Sequence, residues 1–201
     1  LLRNKNSTSG GTRTRVTLFT RQMSRIVARI KIGDVLPDTE LSEDYPANKI
    51  KIPEFTKGKT VVIFGVPGAF CPGCSKNHLP GIVKVASKMK EDGIDHIACL
   101  SVNDAYVMGA WGLKHHTKGK VRMFADPNGA FISAMGLGIH LTTLGGFRSK
   151  RFSMIVKDGK IAELNVEPDG TGLTCSLASQ LNYKKHLVKE IDIPYNKEED
   201  P

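Results

Sequence analysis

The sequence predicts an α/β fold, a central mixed β-sheet flanked by helices. Two observations carry this expectation. Between residues 60 and 135, apolar runs rich in β-branched residues alternate with stretches of helical periodicity, as strand–helix–strand units do. Two further apolar runs then stand either side of Lys157-Asp-Gly-Lys160. An Asp-Gly in that position is a strong hairpin signal and adds antiparallel strands to the sheet.

The elements follow in order. Thr60-Val-Val-Ile-Phe-Gly-Val66 is continuously apolar, as a strand covered on both faces is. Residues 75–92 read as a helix, with Leu79, Ile82, Val83 and Ala86 at helical spacing and Gly93 as its stop. Pro80 must kink that helix or close its first turn, because it has no N–H for the carbonyl four residues back. Asp95 to Val102 is the next strand and 104–117 the next helix, opened by Asp104. Val121–Ala125 is a strand, 128–135 a short helix, and 151–156 with 161–166 the hairpin. A final helix is expected from about Leu173 to Ile191.

The net charge of +9 suggests a nucleic-acid partner until it is placed along the chain. Residues 1–33 hold eight basic side chains and no acidic one, which leaves 21 basic and 20 acidic residues for the remainder. A phosphate-binding groove in the folded part is therefore not expected. No apolar run is long enough for a membrane span. Residues 1–29 are Arg-rich, Ser/Thr-bearing and free of acid, the composition of a mitochondrial transit peptide. The folded domain is expected over 30–181 and a C-terminal extension over 182–201. Met23 offers an internal start that would give a cytoplasmic form. Ser179-Gln180-Leu181 is internal, so a peroxisomal C-terminal address is not expected.

The segment that carries chemistry is Val66-Pro-Gly-Ala-Phe-Cys-Pro-Gly-Cys-Ser75. It joins a buried strand to a helix, so Cys74 falls at the helix N-terminus, where free N–H groups and the dipole favour an anion. The thiolate is the nucleophilic form of cysteine. An ordinary thiol of pKa about 8.5 is roughly 5–10% ionised at pH about 7.4. Full ionisation therefore gains only about tenfold to fifteenfold, and nucleophilicity falls as the pKa falls. A fast thiol enzyme also needs a cation and fixed donors around the reacting atoms.

The stretch Phe64-Gly-Val-Pro-Gly-Ala-Phe-Cys-Pro-Gly-Cys-Ser-Lys-Asn-His-Leu-Pro-Gly81 resembles the active-site loop of the peroxiredoxins, in particular the type 5, atypical two-cysteine group. Cys99-Leu-Ser-Val-Asn-Asp104, Ala125-Asp-Pro-Asn-Gly-Ala130, Lys150-Arg-Phe-Ser-Met154 and Asn165-Val-Glu-Pro-Asp-Gly-Thr-Gly-Leu-Thr-Cys175 are similar to that group as well. The resemblance implies a thioredoxin-like fold and a thiol-dependent peroxidase acting on hydrogen peroxide, alkyl hydroperoxides and peroxynitrite. It implies that Cys74 attacks the peroxide, that Pro67 shapes the pocket, and that Arg151 holds the thiolate and orients the substrate. It further implies that Cys175 resolves the Cys74 sulfenic acid to an intramolecular disulfide reduced by thioredoxin, in a homodimer. No cofactor or metal is implied.

Cys71 departs from the family pattern, which places Thr or Ser three residues before the nucleophile. A thiol is a weaker donor and acceptor than a hydroxyl, so activity is expected to be retained but reduced. The change also creates Cys71-Pro-Gly-Cys74, a Cys-x-x-Cys suited to dithiol–disulfide exchange. That leaves a dithiol oxidoreductase acting through Cys71 and Cys74, or a redox relay with weak peroxidase activity, as rival readings. A zinc module is disfavoured, since nothing completes four ligands around Cys71, Cys74 and His78. Cys99 and Trp111 read as core, His78 as structural, Arg148 and Lys150 as solvated, and His115 and His116 as a wet helix end.

Overall fold

The computed structural model describes residues 29–187. The expected transit segment therefore lies outside the described residues, apart from Arg29, as does most of the C-terminal extension. Strands β1 (Glu40–Glu43), β2 (Tyr45–Lys51), β3 (Thr60–Gly65), β4 (His96–Ser101), β5 (Arg122–Ala125), β8 (Phe152–Lys157) and β9 (Lys160–Val166) form one sheet in the order β2-β1-β5-β4-β3-β8-β9. β3 runs parallel to β4, and β4 to β5, while the other pairs are antiparallel. A separate hairpin joins β6 (Gly138–Leu141) to β7 (Gly146–Ser149). The helices are α1 (Ile52–Thr56), α2 (Leu79–Glu91, preceded by a π-helical turn Cys74–His78), α3 (Ala105–Lys114) and α4 (Ala130–Ala134). The sheet is thus mixed and mostly antiparallel, with helices against it.

The central strand shows why its sequence has no polar alternation. Val61 and Ile63 pack into one core with Leu100, Phe124, Phe152 and Met154. Val62 and Phe64 pack into the other with Leu79, Ile82, Met89, Cys99 and Trp111. Successive side chains of a strand point to opposite faces, and here both faces are covered. Each such buried side chain contributes about 1.5–3 kcal/mol. At the strand's end a Cβ on Gly65 would run into the Phe152 ring, so glycine lets β3 and β8 close together just below the active loop.

The hairpin matches its signal: Asp158 and Gly159 take φ of 47° and 76°, the paired left-handed residues a two-residue turn demands. Asp104 caps α3, its carboxylate accepting from Val107 N at 3.0 Å. Three features differ from expectation. Strands β1 and β2 with α1, and the β6–β7 hairpin, have no counterpart in the sequence reading. Helical backbone begins at Pro72, ahead of residue 75. The third difference concerns the final helix: residues 173–187 form turns with two short 3₁₀ segments, Ala178–Gln180 and Tyr183–His186. Glu167 anchors this segment: its carboxylate draws the N–H groups of Thr174, Cys175 and Ser176 to one point. The rest of that expected helix lies outside the described residues.

Candidate active site

The loop after β3 is held from below by β4. Val66 N donates to Leu100 O at 2.9 Å, and Asn103 Oδ1 accepts from Ala69 N at 3.0 Å. Pro67 and Gly68 are buried here. Phe70 takes a positive φ of 63°, and Cys71 N bonds back to Gly68 O, which turns the chain into the helix. Ser75 N donates to Cys71 O at 2.8 Å. Cys71 therefore caps the helix, Pro72 takes its first position, where a missing N–H costs nothing, and Cys74 lies two residues further on.

Pro80 has no N–H to give, and Leu79 N reaches back five residues to Cys74 O. The ladder widens for one turn before α2 resumes. Such π-turns tend to sit at functional sites. This one begins on Cys74, whose side chain is fully buried.

Arg151 approaches Cys74 from the start of β8. Its Nη1 stands 3.4 Å from Cys74 Sγ and 3.4 Å from His78 Nδ1, and its Nε donates to Thr171 O at 3.1 Å. The residue is only 3% exposed. Among the described residues no carboxylate pairs with it. A buried cation without a counter-charge is costly, and the sulfur of Cys74 stands where one is needed. Gly73 makes room: a Cβ there would lie 3.2 Å from Arg151 Nη2 and 3.5 Å from Leu173 Cδ1.

His78 extends the site. Burial, with the Arg151 charge beside it, pushes its pKa down to about 4, so the ring is neutral at neutral pH. Nε2 lies 2.9 Å from the Ser176 carbonyl. It must therefore carry the proton and donate, leaving Nδ1 to accept from Arg151. The two hydrogens on Arg151 Nη1 thus serve Cys74 and His78 at once.

Glu167 holds the segment that bears Cys175. Its oxygens accept from Thr174 N (2.8 Å), Thr174 Oγ1 (2.6 Å), Cys175 N (3.0 Å), Ser176 N (3.0 Å) and Ser176 Oγ (2.7 Å). Burial alone would raise this carboxyl, yet these bonds outweigh it and bring the pKa down to about 2. Cys175 is half-buried, and burial and the Glu167 charge raise its thiol. All four cysteines are free thiols.

The structure therefore brings Cys74, Cys71 and Arg151 together, places Pro67 in the loop before them, and ties the Cys175 segment to the cluster through Ser176 and His78. Sequence reasoning missed Glu167, Asn103 and the bridging part of His78. The Glu167 bonds join residues seven to nine positions apart, a spacing with no periodic signature. Arg148 is no solvated side chain: it donates to Val102 O at 2.6 Å and Leu144 O at 2.9 Å. His115 is half-buried against Trp111, so only His116 is a wet helix end. Cys99 and Trp111 are core, both fully buried. A cleft of about 650 Å³ between α3 and the β1–β2 turn is lined by none of these site residues.

A buried sulfur at a helix start, faced by an unpaired buried guanidinium on this fold, defines a thiol-dependent peroxidase. The chain matches the Redoxin family over residues 31–181 and belongs to it, as a peroxiredoxin. It is 40% identical to Peroxiredoxin-2B of Arabidopsis thaliana over 148 residues, which are 72% of this chain and 91% of that protein. It is 37% identical to the chloroplastic Peroxiredoxin-2E of the same plant, over 89% of this chain and 77% of that one. Among solved structures it resembles reduced Prx3 of Vibrio vulnificus in complex with H2O2, at 40% identity and a TM-score of 0.71, covering 75% of this chain and 96% of that one. It also resembles peroxiredoxin 5 of Alvinella pompejana, at 41% identity and a TM-score of 0.65, covering 73% and 95%. The thioredoxin-like fold of the sequence reading agrees with these neighbours.

Proposed function

We propose that Cys74 is the sulfur that attacks the peroxide, and that Cys175 resolves the product. The thiolate displaces the distal oxygen of hydrogen peroxide or an alkyl hydroperoxide; water or an alcohol leaves and Cys74 becomes a sulfenic acid. Peroxynitrite fits the same attack. Arg151 pairs with the thiolate and donates to the leaving oxygen, and Pro67 keeps water off the sulfur. Cys175 then attacks the sulfenic sulfur, water leaves, and a Cys74–Cys175 disulfide remains for thioredoxin to reduce. The observation that carries this reading is the buried, carboxylate-free Arg151 guanidinium 3.4 Å from Cys74 Sγ.

The reading extends to place and assembly. The acid-free, Arg-rich residues 1–29 support an organellar form, and a mitochondrial one in particular. Two relatives are chloroplastic, so import into isolated mitochondria and chloroplasts decides between them. The working unit is taken to be a homodimer. The mechanism is tested by thioredoxin-coupled turnover of Cys71→Ser and Cys71→Ser/Cys175→Ser. The double variant keeps the first, single oxidation of Cys74 and loses sustained turnover; unchanged turnover would remove Cys175 from the cycle.

A further inference from the structure

We propose that Cys71 is a second, local resolving thiol, which closes a Cys71–Cys74 disulfide within the active loop while the Cys175 segment stays pinned. The proposal rests on the reading of Cys74 as the attacking sulfur.

Four observations carry it. Cys71 caps the helix whose third residue is Cys74, as the Ser75 N to Cys71 O bond shows. Residues three apart on a helix have Cα atoms about 5 Å apart from its rise and radius, within the roughly 4.4–6.8 Å that a disulfide spans. The Cys71 side chain packs against the buried cluster that contains Cys74. The Cys71 sulfur is confined beside Gly68, where an added Cβ would stand 3.1 Å from it. Cys175, in contrast, belongs to a segment held by five bonds from Glu167 and by the His78–Ser176 contact. Cys99 is fully buried in a strand, with its thiol raised far above the ordinary range by burial. When the sulfenic acid forms, Cys71 is the thiol on the same helical turn and the one needing no segment to be released.

The step balances. The Cys71 sulfur attacks Cys74 Sγ, the S–S bond forms as the S–O bond breaks, and the departing hydroxide takes the Cys71 proton as water. Both electrons for the peroxide have then come from the two loop thiols. The surroundings also time the step. The Cys71 thiol is raised by burial, then by the charge of Cys74, while Arg148 and Arg151 oppose this. Oxidation of Cys74 removes its negative charge, so Cys71 gives up its proton more readily once there is a sulfenic acid to attack.

The test uses the full chain as Cys175→Ser, treated with one equivalent of H2O2, quenched by alkylation and digested with trypsin. Cleavage after Lys59 and Lys76 leaves Cys71 and Cys74 on one peptide. The expected product is that peptide short of two hydrogen atoms and unalkylated at both cysteines. The Cys71→Ser/Cys175→Ser double variant should instead carry one added oxygen, and two or more as peroxide is raised. A Cys175→Ser peptide that carries oxygen on Cys74 with Cys71 fully alkylated overturns the proposal. A peptide alkylated at both positions after peroxide exposure overturns the reading of Cys74 on which the proposal rests.

Discussion

The guanidinium of Arg151 stands 3.4 Å from the sulfur of Cys74, across 77 residues of chain. It is buried and no described carboxylate answers it. The pair explains why a residue that sequence alone would leave on the surface is held in the core, just ahead of β8. A charge-assisted hydrogen bond contributes about 1.5–3 kcal/mol. Arg151→Met should therefore lower the rate constant of Cys74 oxidation by roughly tenfold to a hundredfold. Arg151→Lys should fall between the two, because it keeps the charge and loses the fork that reaches Thr171 O. Stopped-flow oxidation by H2O2 measures both; an unchanged rate in Arg151→Met would remove the cation from the chemistry.

Gly73 separates position from stability. Its backbone is right-handed helical, φ −64° and ψ −34°, so alanine suits the helix and should leave stability equal or raised by up to about 1 kcal/mol. The added Cβ would press on Arg151 Nη2. Gly73→Ala should thus lose roughly threefold to tenfold in Cys74 oxidation while its urea midpoint holds or rises. A loss of activity matched by a loss of stability would refute this account of the glycine.

Cys71 gives the opposite sign. Cys71→Thr places a hydroxyl where the thiol is a poorer hydrogen-bonding group. One added neutral hydrogen bond of about 0.5–1.5 kcal/mol should speed Cys74 oxidation by roughly twofold to tenfold. A slower first step in this variant would show that the thiol serves the attack itself.

His78 sets an acid limit on the fold. Its pKa is about 4 in the folded protein against 6.5 in the open chain. Between these values the unfolded chain binds the extra proton, so stability falls as the pH drops from about 6.5 to about 4 and is constant in this respect above. The full contribution is about 3 kcal/mol. Glu167, held at about 2 against 4.5, continues the loss: its stabilisation is present above about 4.5 and fades towards 2. Urea unfolding of wild type and His78→Asn at pH 7 and pH 4.5 should show a smaller pH difference in the variant. An equal difference in both would exclude His78 as the cause.

Much of the frame was legible in the sequence because each strong signal was local. The run at 60–66, the Asp158-Gly159 turn and the Asp104 cap each specify their element within a few residues. The edge was not legible: β2 is largely exposed and polar and carries Pro46, so it has no apolar alternation to read. The helix expected from Leu173 is replaced by bends and two short 3₁₀ segments, held at residues 174–176 by bonds to Glu167 that no local pattern announces. At the site, Cys74 followed from its place between strand and helix, whereas Arg151 needed the family resemblance. Its partners Thr171 and His78 come from other elements and meet it only in the fold. Glu167 makes this testable: Glu167→Gln should speed amide hydrogen exchange at residues 174–176 selectively, and equal protection in both proteins would deny it the anchoring part.

The most direct test of the central claim is stopped-flow H2O2 reduction by Cys74→Ser with Cys71, Cys99 and Cys175 all intact. The account predicts that rapid peroxide consumption falls to that of an ordinary unactivated thiol. Fast consumption by this variant would place the attacking sulfur elsewhere and contradict the account.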